Sequence, residues 1–174
     1  MRIRPSVLSL FVVVATMLLA VHASGMQQAG RHLSPTTDIK IISSAGARAM
    51  ADACIAWAEQ NKTIVAMAIL DWGGNLIESH AMEGAAPNAI DTALLKAKSA
   101  LRWRRPTSET NKIVRSGENL APTFMNDFPQ PGALPVVMNG RVIGAMGVSS
   151  GDGEKCAQAA IDKVFGGQAA STGR

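Results

Sequence analysis

Tyrosine is absent from this 174-residue sequence, and phenylalanine and tryptophan together make up only 4% of it. Base-stacking platforms are therefore scarce, and no Lys/Arg run carries interleaved aromatics. The formal charge of +4 is a weak excess, so nucleic acid is not an expected partner. Cysteine is limited to Cys54 and Cys156, which form no C-x-x-C, so neither a zinc site nor a thioredoxin-type motif is indicated. Histidine is limited to His22, His32 and His80. G-x-S-x-G, H-E-x-x-H, Walker A and C-x-x-C-H are all missing, as is a G-x-G-x-x-G before a helix. A Ser-His-Asp triad has little to draw on, because His80 has no acid at an obvious triad spacing.

Long apolar runs are missing too, with one exception. Residues 7–20 (VLSLFVVVATMLLA) follow Arg2 and Arg4 and precede Val21-His22-Ala23. A basic start, a short apolar stretch and small residues at a cleavage position are the parts of a secretory signal. The run is shorter than the roughly 20 residues a membrane span needs. Residues 1–23 are expected to be removed, releasing Ser24–Arg174 to a periplasm or the medium. Its net charge would be +2, since the signal holds two arginines and no acid. A polar, flexible lead-in is expected over 24–42, one domain over 43–166 and a disordered tail over 167–174. A mature chain of this length can bury a real core.

Hydrophobic spacing then places the elements. Met50, Ala53, Cys54, Trp57 and Ala58 make one helical stripe over 43–60, with Ser43 or Ser44 as cap. Residues 63–70 and 76–82 read as a hairpin around Asp71-Trp72-Gly73-Gly74-Asn75. A second helix is expected from Asn88, as cap, to Pro106, burying Ile90, Ala93, Leu94, Ala97 and Leu101. Thr107 is expected to cap a short third helix. Residues 119–133 hold three prolines and no period, and read as a long irregular loop. Residues 134–138 and 141–148 are joined by Asn139-Gly140, the strongest local hairpin signal. A last helix over 154–165 buries Cys156, Ala157, Ala160, Ile161 and Val164. The order α-ββ-αα-ββ-α predicts an α+β domain: one antiparallel sheet with flanking helices, the first and last on the same face.

Two groups of residues carry candidate chemistry. Arg102, Arg104 and Arg105 crowd the end of the second helix beside Thr107 and Ser108. They complement a helix C-terminus, or grip an anionic ligand through paired N–H donors. His80 and Met82 lie two apart on one strand, hence on one side of a sheet. They are either haem or copper ligands, or an edge histidine and a core methionine.

The segments AILDWGGNLIESHAMEGA, ALLKAKSALRWRRPT and GALPVVMNGRVIGAMGVSSG, in that order and followed by a closing helix, resemble the GlcG/HbpS family over about residues 45–165. The family's patterns there are V-V-D-x-x-G-x-L … R-M-D-G-A, A-x-x-K-A-x-T-A … P-T, and G-G-x-P-I … G-x-V-I-G-A-I-G-V-S-G. Lys96, Pro106, Thr107, Gly144, Gly147 and Ser149 match. Ala81 and Glu83 replace the family's Arg and Asp, Ala133 replaces a Gly, and Ser150 interrupts the usual S-G. Gly144 and Gly147 are expected to serve a bulge or a close strand–helix approach.

The resemblance implies a profilin-like α+β domain, a homo-oligomer, and surface haem binding in some members. Arg102, Arg104, Arg105, Thr107 and Lys96 are then the expected anion-binding residues, with His80 or Met82 as iron ligand. Within that architecture Cys54 and Cys156 lie on the first and last helices. They either form a disulfide or stand as two separate buried thiols. Three functions follow. The first is a non-enzymatic binder of haem or another anionic ligand. The second is an enzyme degrading haem or acting on a small hydroxy or keto acid, with Lys96 or Glu83 as acid/base group. The third is an oligomeric accessory subunit of an envelope oxidoreductase system.

Overall fold

The computed structural model describes residues 35–166. The expected signal peptide, most of the lead-in with His32, and the tail from 167 lie outside them. The chain divides into two compact units at Asp38/Ile39, and the second holds every described helix and strand.

Ser43 opens helix α1 (Ser44–Gln60), its Oγ accepting from the Gly46 N–H at 3.1 Å. Ala47, Met50, Ala51, Cys54 and Ala58 form the buried stripe. Strand β1 (Ala66–Asp71) is buried along its length apart from Asp71, which is why AMAIL runs apolar without alternation. Strand β2 (Leu76–Ala81) returns antiparallel beside it. Helix α2 spans Ala89–Trp103 and helix α3 spans Thr107–Ser116. A one-turn helix α4 (Ala121–Phe124) interrupts the stretch expected to be irregular. Strands β3 (Ala133–Met138) and β4 (Arg141–Ser149) form the second hairpin, and helix α5 (Gly153–Phe165) closes the domain. Asn139 and Gly140 both have positive φ (51° and 73°), as the Asn-Gly turn requires.

The sheet order is β2-β1-β4-β3, antiparallel throughout, and the two hairpins join along β1 and β4. This is the expected α+β fold, with α1 and α5 on one face and α2 on the other. On the first face Met67, Ile69, Met146, Val148, Leu134 and Val136 meet the stripes of α1 and α5. Ile42 is buried in this core, and its N–H bonds the carbonyl of Ile143, next to the bulge in the β3–β4 register. The domain thus starts before the expected boundary at 43.

The opposite face is built from small residues. Ala133 and Ala145 cluster with Ala100 of α2. A methyl group on Gly147 would overlap the carbonyl oxygen of Ala93 and sit 2.7 Å from the amide nitrogen of Ala97. The backbone of α2 therefore rests directly on β4.

Two capping expectations are corrected. Asn88 takes a left-handed conformation and makes no side-chain cap bond. Thr107 is the first residue inside α3, behind Pro106, and its hydroxyl turns into the protein. Arg48 of α1 pairs with Glu78 of β2 at 3.0 Å.

Cys54 and Cys156 form a disulfide between α1 and α5, with a Cα–Cα distance of 5.1 Å and a sequence separation of 102. Closing so long a loop restricts the unfolded chain strongly. Thiol titration of denatured, unreduced protein is expected to find no reactive thiol, and the Cys54→Ala/Cys156→Ala variant to lose about 2–5 kcal/mol of unfolding free energy in urea. Two titratable thiols per chain would contradict the pairing.

Candidate functional site

Helix α2 sets the geometry. Its small residues lie against the sheet, so its flank carries Lys96, Ser99 and Trp103 at helical spacing toward the 117–132 connection. Arg104, left-handed at φ 53°, ends the helix two residues before Pro106.

Two attachments hold the connection to this flank, and a third ties its end to β4. Arg102 Nη1 donates to the carbonyl of Met125 at 3.2 Å. The Asp127 carboxylate accepts from Ser99 Oγ at 3.1 Å and from the indole N–H of Trp103. At its end, the Gly132 carbonyl accepts from the Val148 N–H at 2.7 Å. Gly132 has φ +136°, and a Cβ there would lie 2.5 Å from the backbone carbonyl oxygen of Val148, so a side chain is excluded.

Beside Gly132 is a half-buried polar node. Glu154, in the first turn of α5, accepts from Thr107 Oγ1 at 3.1 Å and from the N–H groups of Ser108 (2.7 Å) and Gly132 (3.4 Å). One carboxylate thus satisfies a free amide at the start of α3 and ties α5 to the connection. Thr107 Oγ1 also accepts from the Ala133 N–H at 2.9 Å. Lys96, only 7% exposed, donates to the Val148 carbonyl at 3.3 Å. Burial pushes its ammonium below the usual lysine range, and the opposing pull of Glu154 recovers only part of that shift.

The expected site residues separate into three places. Lys96 and Thr107 are buried, and their polar atoms bind groups within the fold. The arginines are at the surface end of α2, each with a different partner. Arg102 holds Met125, Arg104 lies 5.3 Å over the Trp72 ring, and Arg105 Nε donates to the Trp103 carbonyl at 3.3 Å. His80 is exposed on edge strand β2, opposite Met67 and so on the α1 side of the sheet. From Met67 to Trp72 is about 17 Å along the strand. Within one chain, His80 and the arginines therefore do not form one site. Met82 is half-buried against the core, and Glu83 is exposed in the turn after β2. A cleft of about 340 Å³ opens between this turn and the start of α2, lined by Met82, Asn88, Ile90 and Asp91 among others; its lining has an acid and no base.

Sequence reasoning missed a group on the connection itself. Leu120, Phe124 and Met125 are exposed by 47%, 85% and 50%. The available signal was the presence of large apolar residues in a stretch with no helical or strand period.

The sequence model described as "Haem degrading protein HbpS-like" matches residues 42–164. The chain belongs to the HbpS-like family. Among curated proteins it is similar to Protein GlcG of Escherichia coli K12, 35% identical over 92 residues that cover 53% of this chain and 69% of GlcG. Among solved structures it is similar to Klebsiella pneumoniae ORFY (31% identity, TM-score 0.70, 76% of this chain and 97% of that one). It is also similar to HbpS (28% identity, TM-score 0.68, 75% and 94%). These establish the GlcG/HbpS resemblance and its fold for the present HbpS-like chain. Among the described residues no helix is long and apolar enough to cross a membrane, and no three His, Cys, Asp or Glu side chains gather as a metal site.

The buried lysine of this HbpS-like domain carries a pH signature. Its folded pKa lies below the ordinary 10.5. In the window between the two values the unfolded chain holds a proton that the folded chain has released, so unfolding free energy rises with pH there. Lys96→Met leaves Glu154 with its three donors and is expected to abolish that rise, read from urea unfolding at successive alkaline pH values. An unchanged slope in the variant would contradict this origin.

Proposed function

We propose that this chain is an exported haem-binding protein, the ligand's carboxylates being taken by the arginines at the end of α2. The observation that carries the reading is that Arg102, Arg104 and Arg105 form no ion pair among the described residues. Their N–H groups not used within the fold suit a carboxylate. Haem is a flat apolar macrocycle with two carboxylates and an open iron. The donor set fits it: guanidinium groups next to exposed apolar side chains. Bound iron would supply redox and ligand-exchange chemistry; this chain supplies the anion grip, the apolar contact and the scaffold. Membership of a family described as haem-degrading and HbpS-like supports the choice of haem among amphiphilic anions.

The amino-terminal pattern of Arg2, Arg4, the apolar run 7–20 and Val21-His22-Ala23 supports export to a periplasm or the medium. The disulfide supports an oxidising compartment. The family resemblance and the exposed Ile64, Leu76 and Leu95 support a homo-oligomer. The enzymatic alternatives draw on Lys96 or Glu83; burial lowers the Lys96 pKa as acid/base work needs, but its ammonium is turned to the Val148 carbonyl within the fold, which favours binding over catalysis by that residue.

Haem titration of Ser24–Arg174, followed by absorbance, tests the reading. A saturable Soret shift is expected. Arg102→Ala/Arg105→Ala is expected to weaken binding by about tenfold or more, the scale of a lost charge-assisted contact. No shift beyond that of an unrelated protein would contradict it.

A further inference from the structure

We infer that the haem lies against the 117–132 connection, its macrocycle on Leu120 and Phe124, a carboxylate on Arg102, and its iron facing the Met125 thioether. The assignment rests on the haem reading above and goes beyond it by naming the contact surface and the iron ligand.

Single exposed apolar residues are ordinary, but three large ones within six positions are not. Phe124 at 85% exposure makes almost no contact with its own domain, while Met125 and Leu120 are half-exposed beside it in sequence. The backbone carrying them is firmly held. Pro122 is the buried residue of α4, its carbonyl accepts from the Asp127 N–H at 3.2 Å, and the Met125 N–H bonds the carbonyl of Ala121 at 3.1 Å. Asp127 is fixed to α2 through Ser99 and Trp103. The apolar side chains thus stand on an ordered base, which lowers the entropy lost when a flat ligand settles on them.

Charge complementarity selects the occupant. The hydrogen bond from Arg102 to the Met125 carbonyl places a guanidinium at the edge of the apolar group, with its remaining N–H donors unassigned within the fold. The nearby acid, Asp127, has its Oδ2 already accepting from both α2 donors. An apolar plate bearing carboxylates meets both features. A thioether is a soft donor known as an axial haem ligand. Met125 is half-exposed, whereas Met82 packs against the core. His80 is on the other side of the sheet from α2, and the cleft near Met82 offers a carboxylate an acid and no base.

The test compares Met125→Leu, Phe124→Ser and His80→Ala in the mature chain, with haem as the probe. These side chains are exposed or half-exposed, and retained circular dichroism together with the absence of free thiols checks that each variant folds. Phe124→Ser is expected to weaken haem binding by at least about tenfold. Met125→Leu is expected to change the ligand-sensitive bands of the ferrous and ferric spectra and to lower the reduction potential, while His80→Ala matches the wild type. Wild-type binding with an unchanged Met125→Leu spectrum, unchanged Phe124→Ser affinity, or loss of the Soret shift in His80→Ala would overturn the assignment and leave the haem reading standing. A wild-type chain that binds no haem overturns both.

Discussion

The absence of a side chain at Gly147 is the constraint on which the rest of this structure depends. It lets the backbone of α2 approach β4 until the carbonyl of Ala93 occupies the place of a Cβ. Alanines at 93, 97 and 100 continue the contact along the helix. With the helix fixed in register, every polar group on its flank has a defined height above the sheet. Lys96 meets the end of β4, Ser99 and Trp103 meet Asp127, and Arg102 meets Met125. A helix held further away by larger side chains would reach none of them in the same geometry.

The two faces of the sheet divide the work. The face under α1 and α5 holds the large apolar side chains and the disulfide, and supplies most of the hydrophobic stabilisation. The α2 face buries mainly alanine and glycine beside Leu70 and Pro135, and relies on hydrogen bonds to order the connection that crosses it. Glu154 is central to that arrangement. It joins the starts of α3 and α5 to Gly132, and it offsets part of the cost of burying Lys96. The Asp127 carboxylate of the connection is engaged inward, and Leu120, Phe124 and Met125 are left outward, where a ligand with an apolar face can use them.

Much of the fold was legible because periodicity and turn chemistry are local. Ser43 as a cap, the Met50–Ala58 stripe and the Asn139-Gly140 turn all stand as read. Gly147 was legible as a close approach because the family pattern keeps glycine there and a strand otherwise disfavours it. Tertiary partners decided what local rules could not. Thr107 has the chemistry of a cap, yet Ala133 and Glu154 draw its hydroxyl inward. Asn88 adopts a left-handed turn in place of capping. The site was less legible still. Arg102, Arg104 and Arg105 are adjacent in sequence but reach different partners, and only the three-dimensional register shows that His80 stands away from them. Leu120, Phe124 and Met125 gave no periodic signal, since their importance comes from what holds their backbone.

Amide hydrogen exchange of the mature chain, with and without haem, tests the central claim most directly: that α2 and the 117–132 connection form the ligand-binding platform. The account predicts that haem slows exchange across residues 119–128 and the end of α2, with the β2 edge unaffected. Slowing confined to β2 and the 82–91 turn, or none in the presence of bound haem, would contradict it.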